Sequence, residues 1–392
     1  MKKRKFAALL LAGIAFALCA CGAPEPRDSA SESGKNSAHS AEEIPLDTEH
    51  GIGDQSYLYG MCYLLEGRTY WGSPFENGDI EADIALINNL GCKTVRHWMH
   101  FTALMKDKDT MNEEECERMH LALEECLKYD IVNIGMNHHN FNGGLSSVGK
   151  VKRNMVKGSD YILWLDDYYT SWYNLVSEFP EVLYWEIDNE LNNPDFMFNA
   201  YDKTYFTASE MAEIATDMLY YATRAIHDAN PEAQSVMGGL TEPTGLGRGN
   251  TASFLQMLYD NIASGEYGYF YGKEEPSAAS KNADDYFEIA CWHPYMSNFN
   301  KQNFIDINNE YYEIILKNEG KHKKVFFTEI GWNDDSIGGE EKSIEFMEQM
   351  YDALKSMPYV ETANIFKLYD TGKKNNWDGP NYLYFGLVHD PD

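Results

Sequence analysis

Basic residues are scarce in this chain: 32 Lys and Arg stand against 62 Asp and Glu over 392 residues, a net charge of −30. Such a surface repels phosphate backbones, anionic lipid and polyanionic substrates, so nucleic acid is excluded as a partner, whereas a neutral polysaccharide meets no penalty. Cysteine is sparse and unpatterned. With Cys19 and Cys21 set aside as part of an N-terminal leader, Cys62, Cys92, Cys116, Cys126 and Cys291 remain. That odd number, with no CxxC among them, argues against a disulfide framework and leaves room for one bridge, Cys116 to Cys126. The first expected strand, Tyr59 to Tyr63, lacks a His-x-His pair. This weighs against a metal-dependent hydrolase built on His97, His138, His139 and His293, and neither metal nor cofactor is expected. Past residue 55 no repeat, composition shift or low-complexity break divides the chain, which leaves a single domain for 55–392.

The N-terminus carries a separate instruction. Lys2, Lys3, Arg4 and Lys5 form a basic head, and Phe6 to Leu18 an apolar core too short to span a bilayer comfortably. Leu18-Cys19-Ala20-Cys21 then supplies a small-residue cleavage site. Leu and Ala at those positions before a Cys resemble a bacterial lipobox. The resemblance implies diacylglycerol on Cys21, an extracytoplasmic cell-surface location, and membrane contact through that anchor alone. Cleavage before Cys21, within the leader and lipobox of residues 1–21, would remove the four basic residues and no acid, which moves the net charge from −30 to −34. Residues 22–54, rich in Ser, Ala, Glu, Asp, Gly and Pro, cannot bury enough apolar surface to offset chain entropy and are expected to be a disordered tether.

Apolar, β-branched runs then alternate with helical periodicity. Strands are expected at 57–63, 92–97, 131–137, 182–187, 235–239, 286–292, 324–328 and 363–367. Helices are expected at 79–90, 112–129, 160–179, 208–228, 251–263, 305–316 and 342–355. Strict alternation predicts a parallel α/β sheet, and eight strands predict a (β/α)8 TIM barrel, with the eighth helix missing or replaced. A monomer is expected.

The chemistry concentrates at strand ends. Val182-Leu183-Tyr184-Trp185-Glu186-Ile187-Asp188-Asn189-Glu190 is an apolar run ending in Asn-Glu, and Lys324-Val325-Phe326-Phe327-Thr328-Glu329-Ile330-Gly331-Trp332 ends on a second Glu. In a parallel barrel all strand ends meet at one mouth, so Glu190 and Glu329 can face one substrate, and two carboxylates across a sugar are what glycoside hydrolysis requires. Aromatic residues make up 14% of the chain, a surplus that suits stacking on sugar faces.

Arg96, His97, Asn137, His138, His139, Asn189, Glu190, His293, Tyr295 and Glu329 would ring that mouth. The set resembles the clan A retaining glycoside hydrolases, the superfamily that includes families 5 and 39, over about 59–388. The resemblance implies Glu190 as acid/base, Glu329 as nucleophile and Asn189 as the contact to a sugar 2-hydroxyl. Arg96 and Tyr295 would then be the cation and hydroxyl donor that keep Glu329 ionised, with His138 and His293 as subsite imidazoles. Glu186 and Asp188 are read as barrel-facing hydrogen-bonding groups. Trp185 is expected to give Glu190 the less polar setting an acid needs. Trp332 and Trp377 are candidate substrate platforms. Many clan members carry a Trp at the end of strand eight, where this chain has Ala363-Asn364-Ile365-Phe366-Lys367; Phe366 or Trp377 would replace it, and Lys367 would bring a charge to the mouth. The implied substrate is a poly- or oligosaccharide, β-linked, with the loops 141–158 and 297–304 deciding which. A catalytically dead glycan-binding lipoprotein on the same scaffold is the alternative.

Overall fold

Each expected strand pairs in parallel with its sequence neighbour, and the eighth closes back onto the first. The computed structural model describes residues 44–48, 51–64, 77–138, 153–194, 196–199, 204–242, 250–271, 278–370 and 385–388. The leader, Cys21, His139 and Trp377 lie outside them. The barrel strands are β1 (Tyr59–Tyr63), β2 (Thr94–Trp98), β3 (Val132–Asn137), β4 (Tyr184–Asn189), β5 (Gln234–Thr241), β6 (Ala290–His293), β7 (Val325–Ile330) and β8 (Val360–Ile365). The helices around them are α1 (Asn77–Asn89), α2 (Glu113–Lys128), α3 (Asp160–Glu178), α4 (Ala208–Ala229), α5 (Thr251–Ser264), α6 (Lys301–Glu319) and α7 (Glu340–Leu354). The fold is the (β/α)8 barrel the alternation implied, and no described residue beyond Ile365 is helical.

Local chemistry explains the helix ends. Ser159 caps α3 by accepting from the Ile162 N–H at 3.2 Å, and Thr207 with Glu210 forms a capping box on α4. Gly265 and Gly320 close α5 and α6 in the left-handed conformation that glycine adopts without penalty. Tyr161, Trp164, Leu165, Tyr168, Trp172, Leu175 and Val176 recur on one face of α3 and are buried against the sheet and α4. Helix α4 packs against both α3 and α5, so it is apolar around most of its circumference.

Three expectations change here. Cys116 and Cys126 both lie on α2, ten residues and so about 15 Å apart along its axis, far beyond the reach of a disulfide. All five cysteines among the described residues are free and buried. The segment 301–304, expected to be loop, is the first turn of α6, capped by Asn300. Of the stretch expected as tether, residues 44–48 and 51–54 lie at the N-terminal end of the barrel: the Ile44 carbonyl meets Nε2 of His322 at 2.9 Å, and Ile52 is buried. Among the described residues no helix is long and apolar enough to cross a membrane.

Candidate active site

Arg96 on β2 points into the barrel and is fully buried. Such a cation needs counter-charges. Its Nε and Nη2 reach Glu186 of β4 at 2.6 and 2.9 Å, and its Nη1 reaches Glu329 at 2.5 Å. Nη2 also donates to Asn189 Oδ1 at 2.8 Å. Burial alone would lower the guanidinium pKa, but Glu186 and Glu329 hold it well above its ordinary value, so Arg96 is a permanent charge.

A regular strand could not build this contact, because residues 186 and 189 would point to opposite faces. The break is at Asp188, whose φ of 74° is left-handed, followed by Glu190 at 50°. The turn swings Asn189 onto the same guanidinium as Glu186 and aims Glu190 at the mouth. It also pushes backbone toward β5: a Cβ on Gly238 would sit 2.3 Å from the Ile187 carbonyl oxygen, so the neighbouring strand needs glycine there. Strand β7 shows the matching irregularity. Phe327 pairs with Ala363 and Ile330 with Ile365, three residues against two. That bulge lets successive side chains serve the interior. Thr328 donates to Glu186 at 3.0 Å, while Glu329 meets Arg96 and accepts from the Tyr295 hydroxyl at 3.0 Å. Burial and the Glu329 charge push the Tyr295 phenol well up, so it remains a donor.

His293 of β6 joins the carboxylates. Its Nδ1 lies 3.3 Å from Glu190 Oε1 and its Nε2 2.9 Å from Thr328 Oγ1. Asn193 donates to the other Glu190 oxygen at 2.6 Å. One carboxylate oxygen of Glu190, one of Glu329 and a ring nitrogen of His293 lie within 4.8 Å of one another. Gly239 is required beneath them, since a Cβ there would come within 2.1 Å of the His293 ring. His138 at the end of β3 is held through Nδ1 by Asp188 Oδ1 at 2.7 Å.

Three expectations are corrected. Trp185 points away from the mouth into the helix layer, edge-on to Trp172 and over Gly135, and does not surround Glu190. The Glu190 carboxyl is accordingly not raised: burial pushes its pKa up, but hydrogen bonds from His293, Asn193 and Thr241, with the His293 charge, outweigh it and bring it below the ordinary value. Trp332, expected to stack on sugar, is 4% exposed, packed against Phe299 and Phe346, with its N–H on the Met296 carbonyl at 2.9 Å. It is a core residue. Lys367 is also buried rather than at an open mouth. The aromatic neighbours of Tyr295 are instead Phe385, at 6.2 Å between centroids, and behind it Phe366.

The metal reading loses its ligand set among the described residues. His97 faces the helix layer, bonded to Asn133 at 2.9 Å, and burial brings it down to about 4. Neither His97 nor His138 belongs to any group of converging ligand atoms. At the opposite end of the barrel a cavity of about 200 Å³ is lined by Tyr57, Leu183, Tyr184, Phe326 and Glu361. It offers one carboxylate, tied to Lys324 at 3.0 Å, and so lacks a catalytic pair.

Sequence reasoning missed Thr328, Asn193 and Phe385. Thr328 and Asn193 sit one and three residues from the two motif glutamates, and this proximity was the available signal.

No family model and no curated protein sequence matches this chain. Solved structures do. A family 39 glycoside hydrolase from Bacteroides cellulosilyticus WH2 superposes with a TM-score of 0.55 at 15% identity, covering 86% of this chain and 61% of its own. A β-glycosidase gives 0.56 at 14%, covering 86% and 91%. GH5_18 from Streptomyces cattleya, solved in complex with GlcNAc, gives 0.56 at 13%, covering 85% and 76%. These structural neighbours are clan A glycoside hydrolases. The likeness, at such identities, is one of fold, and this chain spans 61% of the length of the family 39 enzyme.

Arg96 carries the first test of this architecture. Arg96→Met leaves Glu186 and Glu329 without their cation, and the expected loss in stability is about 3–5 kcal/mol, as for other buried pairs broken on one side. Urea denaturation would measure it. Arg96→Met with Glu186→Met should recover part of that loss, and a single variant as stable as wild type would show that the network holds nothing together.

Proposed function

We propose that this chain is a glycoside hydrolase that cleaves O-glycosidic, β-linked bonds of a poly- or oligosaccharide by a retaining double displacement. The observation that carries the reading is the approach of Glu190 and Glu329 oxygens within 4.8 Å, beside His293. Retaining enzymes hold their carboxyl groups about 5–5.5 Å apart, whereas inverting ones leave roughly 6.5–9.5 Å for a water. The short gap supports retention.

Glu329 is the nucleophile: Arg96 and Tyr295 stabilise its charge and leave it in line with the mouth. Glu190 is the acid/base. Its depressed carboxyl favours the ionised form, which suits the second step, where it takes a proton from water. For the first step it must hold a proton, and Nδ1 of His293 at 3.3 Å is the group placed to share one. As the glycosyl bond to Glu329 forms, that carboxylate loses its charge and Arg96 keeps Glu186. The fixed cation is therefore never left alone in the barrel.

The stereochemical test is direct. A ¹H NMR time course on an aryl β-glycoside that the enzyme turns over should show the β-anomer first, with the α-anomer appearing only by mutarotation. An α-anomer first would replace retention with inversion.

The same reading places the protein at the cell surface, anchored by lipid on Cys21. The described part of the N-terminal segment meets the barrel near His322, before β7, on the face opposite the carboxylates. Cys21→Ser should shift the protein from the membrane pellet to the soluble fraction; unchanged fractionation would remove the anchor from this picture.

A further inference from the structure

The buried Thr328 hydroxyl, turned inward by the bulge in β7, stands between two groups. Its Oγ1 lies 3.0 Å from Glu186 Oε1 and 2.9 Å from Nε2 of His293. Glu186 is paired to the permanent charge of Arg96 and also receives the Gly239 N–H at 3.1 Å, so its carboxylate only accepts. A hydroxyl has one proton to give, and it goes to Glu186. Toward His293 the same oxygen can then only receive, which requires a hydrogen on Nε2. Glu186 strengthens that demand, since its Oε1 is 3.9 Å from the same nitrogen. The Cys291 thiol, 3.1 Å from Thr328, takes up the lone pair that remains.

The consequence falls on the other side of the ring, where Nδ1 faces Glu190 Oε1 at 3.3 Å. With a single hydrogen on the ring, held at Nε2, two lone pairs confront each other across that gap. One further proton joins them, whichever of the two atoms it rests on. The opposite tautomer would donate Nδ1–H to the Glu190 carboxylate and satisfy it as an anion. Of the other groups that face His293, Glu329 at 3.8 Å and Glu186 favour uptake of that proton, and Arg96, bonded to both, opposes it. Tyr295, edge-on at 6.3 Å, is a neutral phenol.

We propose that Thr328 is a positioning residue: by holding the hydrogen of His293 on Nε2, it reserves the gap between Nδ1 and Glu190 for the proton that the first step of glycoside cleavage delivers. The inference rests on the glycosidase reading. As the glycosidic C–O bond breaks, that proton passes to the leaving oxygen, and the attacking water of the second step returns one to Glu190. Thr328→Val keeps the shape and leaves Glu186 its Arg96 and Gly239 donors, but Nε2 loses its acceptor. The ring hydrogen then moves to Nδ1, and the pair takes up its acid proton only at lower pH. Because the protonated pair is the active acid, the alkaline limb of kcat/KM moves to lower pH.

The experiment has two arms. Long-range ¹⁵N–¹H spectra of the full chain at about pH 9, with His293→Gln to identify the signals, should show His293 protonated on Nε2 alone in the wild type and on Nδ1 in Thr328→Val. In the second arm, kcat/KM on alkyl β-glycosides is followed against pH. The alkaline limb should fall by about one unit in Thr328→Val, a loss of about tenfold above it, and Thr328→Ser, which keeps the hydroxyl, should restore the wild-type limb. Dinitrophenyl glycosides, which need little protonation, should show a much smaller shift. Wild-type His293 carrying a hydrogen on Nδ1 at about pH 9, alone or with Nε2, overturns the proposal even if Thr328→Val does not fold. So does an alkaline limb unmoved in Thr328→Val, or one moved as far in Thr328→Ser. A wild type with the expected tautomer but no activity on any glycoside would instead overturn the glycosidase reading and leave the Thr328–His293 assignment standing.

Discussion

Glu329→Ala is expected to abolish turnover of every glycoside, with kcat falling by about 10⁵-fold or more, because no covalent glycosyl-enzyme can form without the nucleophile. Among the described residues the carboxylate has no substitute nearby. Glu186 is locked by Arg96, the Gly239 N–H and Thr328, and it lies fully buried beneath the mouth. Glu190 is committed to His293 and Asn193. Leaving group should not matter: dinitrophenyl and alkyl glycosides should fail alike. Fold integrity is a necessary control, since removal of Glu329 takes away one of the two counter-charges of Arg96. Glu329→Gln keeps the shape and the contact to Tyr295, and it should be equally inactive. Residual activity above about one part in a thousand in both purified variants would place the nucleophile elsewhere.

Glu190→Ala should behave differently, and the difference assigns the roles. A general acid/base contributes about 10²–10⁴-fold, so that is the expected loss on substrates with poor leaving groups. With a dinitrophenyl leaving group the first step needs little protonation and survives. The second step stalls, because water has lost its base. A burst of phenolate equal to the enzyme concentration should appear, and mass spectrometry should find the sugar on a peptide containing Glu329. Azide, which requires no deprotonation, should restore turnover and yield a β-glycosyl azide. The cavity left by the missing carboxylate lies within 3.3 Å of the His293 ring and is bounded by Asn193, two polar neighbours suited to an anion. Equal, unrescuable losses in Glu190→Ala and Glu329→Ala would remove the assignment of roles.

Much of the fold was legible because local signals agreed. The runs around Val95, Ile134, Ile187, Val236, Val325 and Ala363 were bounded by helices whose apolar faces repeat every three to four residues, and alternation of the two admits a parallel barrel with its strand ends at one mouth. The pairing of Glu190 with Glu329 followed from that topology, as did the placement of Arg96, His293 and Tyr295. Where the reading failed, it failed at side-chain direction. Trp185 and Trp332 are aromatic and adjacent to motif residues, but pleat parity sends the first into the helix layer and packing against Phe299 and Phe346 holds the second there. The pKa of Glu190 was misjudged for a related reason: its environment is set by His293, 103 residues away in sequence, not by its neighbours along the strand.

The sequence by itself determined the number and order of the strands, the strongly acidic surface and the placement of Glu190 and Glu329 at two strand ends, because propensity, period and net charge are local or additive. Tertiary structure alone decided how those carboxylates are held. The left-handed turn at Asp188 and the bulge after Phe327 break the two-residue period, so that Glu186 and Asn189, and likewise Thr328 and Glu329, turn inward together. No periodic reading can anticipate such breaks. They are held by contacts among strands far apart in sequence: Arg96 from β2, Gly238 and Gly239 from β5, and His293 from β6. Only the closed barrel brings those groups into the same few ångströms.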